Sequence, residues 1–314
     1  MRTAVVGGGS WGTAFARLLA DRGHDVTLVC RDPEQAAAIR SRGRNSRYLP
    51  SVDLGGIAAT DEAPAAELYV LAVPSRAFAE VAAALPPGGA ALSLTKGLDP
   101  ASGERLSTLI RDRPVAVLSG PNMAEEIAEG LPSAAVVASE DEALAIELQH
   151  EINSTVFRVY VNDDLVGVEL CAAAKNVIAL AAGGVDGLGL GDNAKAALIT
   201  RGLAEMARLG EQCGARQETF AGLAGMGDLI VTCWSRHGRN RQAGELIARG
   251  ASADEALAQI GQVVEGVTTA PVLRDLSRRL GIELPITEGV CRVLSGESLG
   301  DLVASLMGRR PRGE

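Results

Sequence analysis

Lys175 is the only charged side chain in a strongly apolar run from 170 to 188 before Asp186 is reached, and Asn176 stands beside it. A lysine inside a helix that is apolar all round must be paired, depressed in pKa or turned to a polar cleft. Desolvation and nearby cations bring such an amine toward neutrality, where it serves as a general acid or base. Asn176 can hold a carbonyl or hydroxyl without competing for the proton. Further on, Asp228 is the one carboxylate of a glycine-rich stretch at 223–228, able to orient Lys175 and to pull its pKa the other way. Arg236, Arg239 and Arg241 follow within a few residues, the densest basic cluster in an acidic chain, and suit a dianionic phosphate. These residues therefore offer a proton-transfer group and an anion clamp.

The N-terminal stretch carries the means to hold a hydride donor. A β-type run at 4–6 breaks into Gly7-x-Gly9-x-x-Gly12, and a helix-compatible stretch at 13–21 follows directly. Gly7 permits the tight turn, Gly9 lets the backbone approach a pyrophosphate, and Gly12 allows close helix–strand packing, with free N–H groups facing the phosphates. A second strand within 25–33 ends in Cys30 and Arg31, where an NAD-specific fold usually shows Asp or Glu. Arg31 points to the 2′-phosphate of NADP(H), without strict exclusion of NAD(H). The alternative is that Arg31 is solvated and Asp32 takes the ribose.

The surrounding pattern supplies elements to position these groups. A helix is expected at 34–40, then a polar, Arg-rich connection at 41–48. An apolar strand at 68–73 stops at Pro74-Ser75, a helix at 77–85 stops at Pro86-Pro87-Gly88-Gly89, and a strand at 90–94 runs into Thr95-Lys96-Gly97. Lys96 thus sits past a strand's carboxyl end, where open α/β sheets bind ligands. The strand at 115–118 opens onto Ser119-Gly120-Pro121-Asn122, with a helix expected from Pro121 through Glu129. Strands at 134–138 and 156–161 follow, and β-type runs end by Asn162. Beyond 164 the chain reads as helical: 165–182 ended by Gly183-Gly184, an amphipathic 193–213 capped by Gly214, a glycine-rich loop at 223–228, alanine-rich helices through Met307, and a frayed tail at 309–314. The expected fold class is α/β, with a Rossmann-type parallel sheet domain at 1–163 and an all-helical domain at 164–314.

Composition narrows the possibilities further. With 314 residues and 47% hydrophobic side chains there is ample apolar material for two cores. A net charge of −9 without a basic block argues against a nucleic-acid surface. The first residues form a strand, with no export signal, and charged residues interrupt the longest apolar run, so no membrane span is expected. Five separated cysteines without a C-x-x-C pair fit a reduced cytoplasm, and no histidine among the three has a second ligand at metal spacing, so no metal is expected.

The ordered set Gly7-x-Gly9-Ser10-Trp11-Gly12-Thr13-Ala14, Thr95-Lys96-Gly97, Ser119-Gly120-Pro121-Asn122, Ala174-Lys175-Asn176-Val177, the run 194–202, Gly225-x-Gly227-Asp228-Leu229 and Gly261-Gln262-Val263-Val264-Glu265-Gly266 resembles the bacterial NAD(P)-dependent sn-glycerol-3-phosphate dehydrogenases over nearly the whole chain. The resemblance implies reversible reduction of dihydroxyacetone phosphate for phospholipid synthesis, by a cytoplasmic homodimer. It implies cofactor contacts at Gly7, Gly9, Ser10, Trp11, Gly12, Arg31, Lys96, Ala124, Arg239, Val263 and Glu265. Substrate contacts fall on Lys96, Gly120, Asn122, Lys175, Asn176, Asp228, Thr232, Arg239 and Asn240, and Lys175 is the catalytic acid/base, with Asp228 and Lys96 beside it. The family usually has serine where this chain has Gly238, which leaves Ser235 or a backbone N–H to take that contact. Two other readings compete: a β-hydroxyacid or ketoacid reductase of the same plan, which recognises a carboxylate, and a dinucleotide-sensing protein without turnover.

Overall fold

The computed structural model describes residues 1–302; the helix expected through Met307 and the tail at 309–314 extend outside the described residues. The first half alternates β1 (Arg2–Val6), α1 (Ser10–Asp21), β2 (Asp25–Val29), α2 (Pro33–Arg42), β3 (Ala58–Thr60), β4 (Leu68–Leu71), α3 (Ser75–Ala83), β5 (Ala90–Ser93), β6 (Val115–Ser119), α4 (Ala124–Ala128), β7 (Ser133–Ala138), α5 (Glu142–Ile152) and β8 (Phe157–Asn162). The strands form one sheet in the order β3-β2-β1-β4-β5-β6-β7-β8. Strand order reverses between β1 and β4, which opens the crevice at their carboxyl ends where such sheets bind ligands. The short edge strand β3 and the helix α5 were not expected from sequence. Both lack strong periodicity.

The sheet is parallel except at one seam. β6 and β7 run antiparallel, and β8 follows β7 in parallel. A parallel crossover must carry the chain back along the strand, about 16 Å for five residues. Between β6 and β7 the chain turns back, with only the five-residue α4 in the connection. Pro121 does not start α4, contrary to expectation. Gly120 has φ +142 and lies so close to β7 that a Cβ would meet the Ala134 carbonyl oxygen at 2.9 Å, while Asn122 Nδ2 donates to that same oxygen at 3.0 Å. These contacts hold 120–123 out of the helix, which begins at Ala124.

The second half is helical: α6 (Leu165–Gly187), α7 (Gly191–Gln212), α8 (Gln217–Ala221), a π-helical turn (Leu223–Gly227), α9 (Asp228–Trp234), α10 (Arg239–Ala248), α11 (Ala253–Ile260), α12 (Glu265–Leu280) and α13 (Pro285–Leu294). Asp164 caps α6, accepting from Gly167 N at 2.9 Å. By length and composition α6 could cross a bilayer, but 89% of its apolar window is buried inside this protein, as befits the central strut of a helical core. Gly214 adopts φ +82 just past α7, as expected. The stretch 223–228 is no loop. It winds as the π-helical turn and leads directly into α9, because Gly225 is pressed onto the Phe220 carbonyl oxygen, 2.2 Å from where a Cβ would stand.

Gly183-Gly184 was expected to end α6, yet the helix runs on to Gly187. The glycines serve packing. A Cβ at Gly183 would stand 1.8 Å from the Arg241 carbonyl oxygen, and one at Gly244 would stand 1.8 Å from that of Leu180, so α6 and α10 cross backbone to backbone. Were Gly183 an unpacked position in the helix interior, alanine there would add about 0.5–1 kcal/mol of stability. Gly183→Ala is expected to destabilise by about 1–3 kcal/mol through overpacking, read as a lower denaturant midpoint; a raised midpoint would contradict the close crossing.

Candidate active site

Three charged side chains from distant parts of the sequence meet where the sheet edge faces the helices. Lys175 lies midway along α6, Asp228 is the first residue of α9, and Lys96 follows β5. Asp228 Oδ1 accepts from Lys175 Nζ at 2.6 Å and Oδ2 from Lys96 Nζ at 2.7 Å. Thr232, one turn along α9, accepts from Lys175 at 2.7 Å, and Ser119 Oγ reaches Asp228 Oδ2 at 3.3 Å. Lys96 also donates to the Gly120 carbonyl at 3.1 Å. Asp228 and Lys175 are 1% and 4% exposed, so this is a desolvated triangle.

Its electrostatics follow from burial and sign. Burial lowers the Lys175 pKa from its ordinary 10.5 to about 7; Asp228 pulls it up, and the Lys96 charge pushes it down again. Burial acts to raise the Asp228 carboxyl, but Lys175 and Lys96 outweigh it and hold that group below the ordinary carboxylate value. Near neutrality the site therefore contains a carboxylate with Lys175 poised to gain or lose a proton. Cys233 and Cys171, buried nearby, are pushed up, the former to about 12, and stay protonated thiols.

Asn176 and Asn240 lie beside the triangle with most of their hydrogen-bonding capacity already used. Asn176 Nδ2 donates to the carbonyls of Lys96 (3.1 Å) and Ala172 (3.2 Å), its Oδ1 accepts from Asn240 Nδ2 at 2.9 Å, and Asn240 Oδ1 accepts from Gly266 N at 2.8 Å. One Asn240 Nδ2 hydrogen and one lone pair on each side-chain oxygen are left for a ligand. Asn122 Oδ1 is buried without a partner among the described residues. In the basic cluster, Arg239 and Arg236 are exposed, whereas Arg241 turns inward onto Asp186 at 2.5 Å, which also holds Lys195 at 2.8 Å. Gly238 is not an open position. A Cβ there would come within 2.9 Å of the Thr232 carbonyl oxygen, and the Ser235 hydroxyl accepts locally from His237 N.

The dinucleotide turn is built as its glycines required. A Cβ at Gly7 (φ +122) would meet the Ala72 carbonyl oxygen at 2.3 Å, one at Gly12 would meet the Gly7 oxygen at 1.9 Å, and Gly9 faces open space. Ser10 and Trp11 begin α1. Trp11 packs edge-on against Phe15 at 5.3 Å, and its Nε1 is buried with no partner among the described residues. Open space at Gly9 and an orphaned donor beside it fit a phosphate-bearing cofactor. Ala124 is buried at the start of α4. Arg31 is exposed, and Asp32 spends Oδ1 capping α2 through Glu34 N at 2.9 Å. Val263 lies just before α12, half-buried. Glu265 reaches across to α3, accepting from Ser75 N at 3.0 Å and Ser75 Oγ at 2.6 Å; burial raises its carboxyl, against Ser75 and the nearby Arg239. Sequence reasoning missed Ser75 and also Asn45, which donates to the Gly8 carbonyl at 2.9 Å. Neither had a signal beyond its residue type.

Two family patterns match the chain, described as the NAD-dependent glycerol-3-phosphate dehydrogenase N-terminus (residues 2–145) and C-terminus (residues 164–309). The chain is 50% identical to a glycerol-3-phosphate dehydrogenase [NAD(P)+] of Moorella thermoacetica, over 98% of this chain and 96% of that one. Its structure is similar to that of a glycerol-3-phosphate dehydrogenase from Coxiella burnetii, with TM-score 0.94 and 38% identity, covering 98% and 99% of the two chains. A ketopantoate reductase from Ralstonia eutropha shares the fold alone, with TM-score 0.62 and 18% identity over 94% and 97%.

The depressed Lys175 predicts a pH signature in stability. The unfolded lysine keeps its proton to about pH 10, while the folded one loses it near pH 7. Between those values the unfolded state binds more protons, so this group makes stability rise with pH. Denaturant midpoints for the parent should rise from pH 7 to 9 relative to those of Lys175→Met. Parallel pH curves for the two proteins would contradict the depressed pKa.

Proposed function

The chain belongs to the NAD-dependent glycerol-3-phosphate dehydrogenase family, and from that premise we infer how its residues divide the work. The enzyme is an NAD(P)-dependent oxidoreductase that reversibly reduces dihydroxyacetone phosphate to sn-glycerol 3-phosphate, the entry to glycerophospholipid synthesis. The bound nicotinamide cofactor supplies the hydride. Gly7, Gly9, Ser10, Trp11, Gly12 and Arg31 hold it on the sheet side, with Ala124, Val263 and Glu265 as further contacts.

Lys175 is the proton donor in reduction and the acceptor in oxidation. The observation that carries this assignment is the buried Lys175–Asp228–Lys96 triangle, with Lys175 brought to about 7. As negative charge grows on the substrate carbonyl oxygen, the Lys175 ammonium gives it a proton, and Asp228 and Thr232 keep Nζ aimed. Lys96 stays beside Asp228 and lends the same oxygen a fixed positive charge. Arg239 and the remaining Asn240 hydrogen bind the phosphate; Arg241 is paired with Asp186, whereas Arg239 is exposed and next in sequence to Asn240. The resemblance supports a cytoplasmic homodimer in which 1–163 binds cofactor and 164–314 binds substrate.

Lys175→Met keeps the stem and removes the proton. The kcat for ketone reduction should fall by about 10²–10⁴-fold, while an NADPH fluorescence titration changes little. A kcat within about threefold of the parent refutes the assignment.

Arg239→Ala should cost several kcal/mol in kcat/KM with dihydroxyacetone phosphate, because binding energy from the phosphate positions the carbonyl. Unphosphorylated dihydroxyacetone should lose far less. Equal losses on both substrates would make Arg239 structural.

A further inference from the structure

One residue that the chemistry above leaves unused holds a carboxylate beside the phosphate clamp. Ser75, 1% exposed, opens α3 just past β4. Its backbone N–H donates to Glu265 Oε1 at 3.0 Å and its hydroxyl to Oε2 at 2.6 Å, so a single residue occupies both carboxylate oxygens. The seat is tight. Gly97, next to Lys96, presses against it: a Cβ there would stand 2.8 Å from Ser75 Cβ and 3.4 Å from Glu265 Oε2. Two charge-assisted bonds from one residue fix the rotation of the carboxylate as well as its place.

Arg239 acts on the same carboxylate. Burial raises the Glu265 carboxyl, the two Ser75 bonds lower it, and the charges of Arg239 and Arg76 lower it further, Arg239 the more strongly. The attraction is mutual, yet Arg239 is exposed and makes no salt bridge among the described residues. The backbones on either side are fixed. Gly266 N donates to Asn240 Oδ1 at 2.8 Å, and a Cβ at Gly266 would stand 2.6 Å from the Asn176 carbonyl oxygen, so the start of α12 lies directly on α6 and on the residue after Arg239. With those backbones set, rotation of the Glu265 side chain decides whether its anion faces Ser75 or Arg239.

We propose that Ser75 is a positioning residue for substrate binding: by holding both oxygens of Glu265 it keeps that carboxylate from closing an ion pair with Arg239, and so leaves the guanidinium to the substrate phosphate. The proposal rests on the assignment of Arg239 to that phosphate and adds the group that keeps it available. Without the hydroxyl, Oε2 loses its donor in a half-buried setting, and an internal ion pair then competes with the phosphate for the same N–H groups. The Ser75 backbone N–H stays on Oε1, so α12 remains tied to α3.

The test is a cycle of full-length variants, Ser75→Ala, Glu265→Gln and both together, each assayed at saturating NADPH. Ser75→Ala should raise KM for dihydroxyacetone phosphate about fivefold or more with kcat within about twofold of the parent, and should leave kcat/KM for unphosphorylated dihydroxyacetone within about twofold. In the Glu265→Gln background, where no anion is left to capture Arg239, adding Ser75→Ala should change KM for dihydroxyacetone phosphate by less than about twofold. An unchanged KM in Ser75→Ala overturns the proposal. So does an equal loss on both substrates, and so does a loss of the same size in the Glu265→Gln background, which would make the serine a packing residue. Failure of the Arg239 assignment is distinct: it shows in Arg239→Ala itself, as equal losses on the two substrates with Ser75 intact.

Discussion

A carboxylate shut away from water is the constraint on which this structure turns. Asp228 alone would be costly to bury, and it is stable only because two ammonium groups reach it, one from the sheet edge and one from the middle of α6. The same pairing sets the chemistry. With Lys96 and Lys175 sharing one anion, their mutual repulsion adds to the burial that depresses Lys175, so the site has a titratable amine without any histidine. The triangle also joins the sheet to the helices, since one corner belongs to the loop after β5 and the others to α6 and α9.

That placement tolerates little drift, and the architecture supplies further ties of the same kind. Glu169 on α6 accepts from Ser107 N at 2.9 Å and from Arg105 at 2.8 Å, while Glu265 on α12 accepts from Ser75 at the start of α3. Both carboxyls are raised by burial yet keep several donors each. A carboxylate that bonds a backbone N–H fixes position as well as charge, so α6 and α12 are held in register with the sheet. Along α6, the glycine contact with α10 and the Asn176–Asn240–Gly266 chain set where Arg239 emerges.

Much of this was legible in the residues. Gly7 and Gly12 announced the dinucleotide turn because each answers a steric demand that only glycine meets, Gly9 leaves open space beside them, and the apolar run around Lys175 announced a buried amine. The switch from β-type runs to helices near 164 was equally plain, since periodicity is a local property.

Other features were decided by the tertiary structure. Gly183-Gly184 reads as a stop by local propensity, and becomes part of a helix because α10 presses its own Gly244 against it. Asn176 and Asn240 read as free ligand groups, but they bond each other across 64 residues. β7 runs antiparallel to β6, and Arg241 leaves the phosphate cluster for Asp186, a partner 55 positions away. The sequence by itself determined which groups could bind a dinucleotide and move a proton, because steric permission and residue chemistry are local. Which groups touch, and what charge Lys175 carries near neutrality, depended on burial and on partners far along the chain, and only the packed structure supplies those.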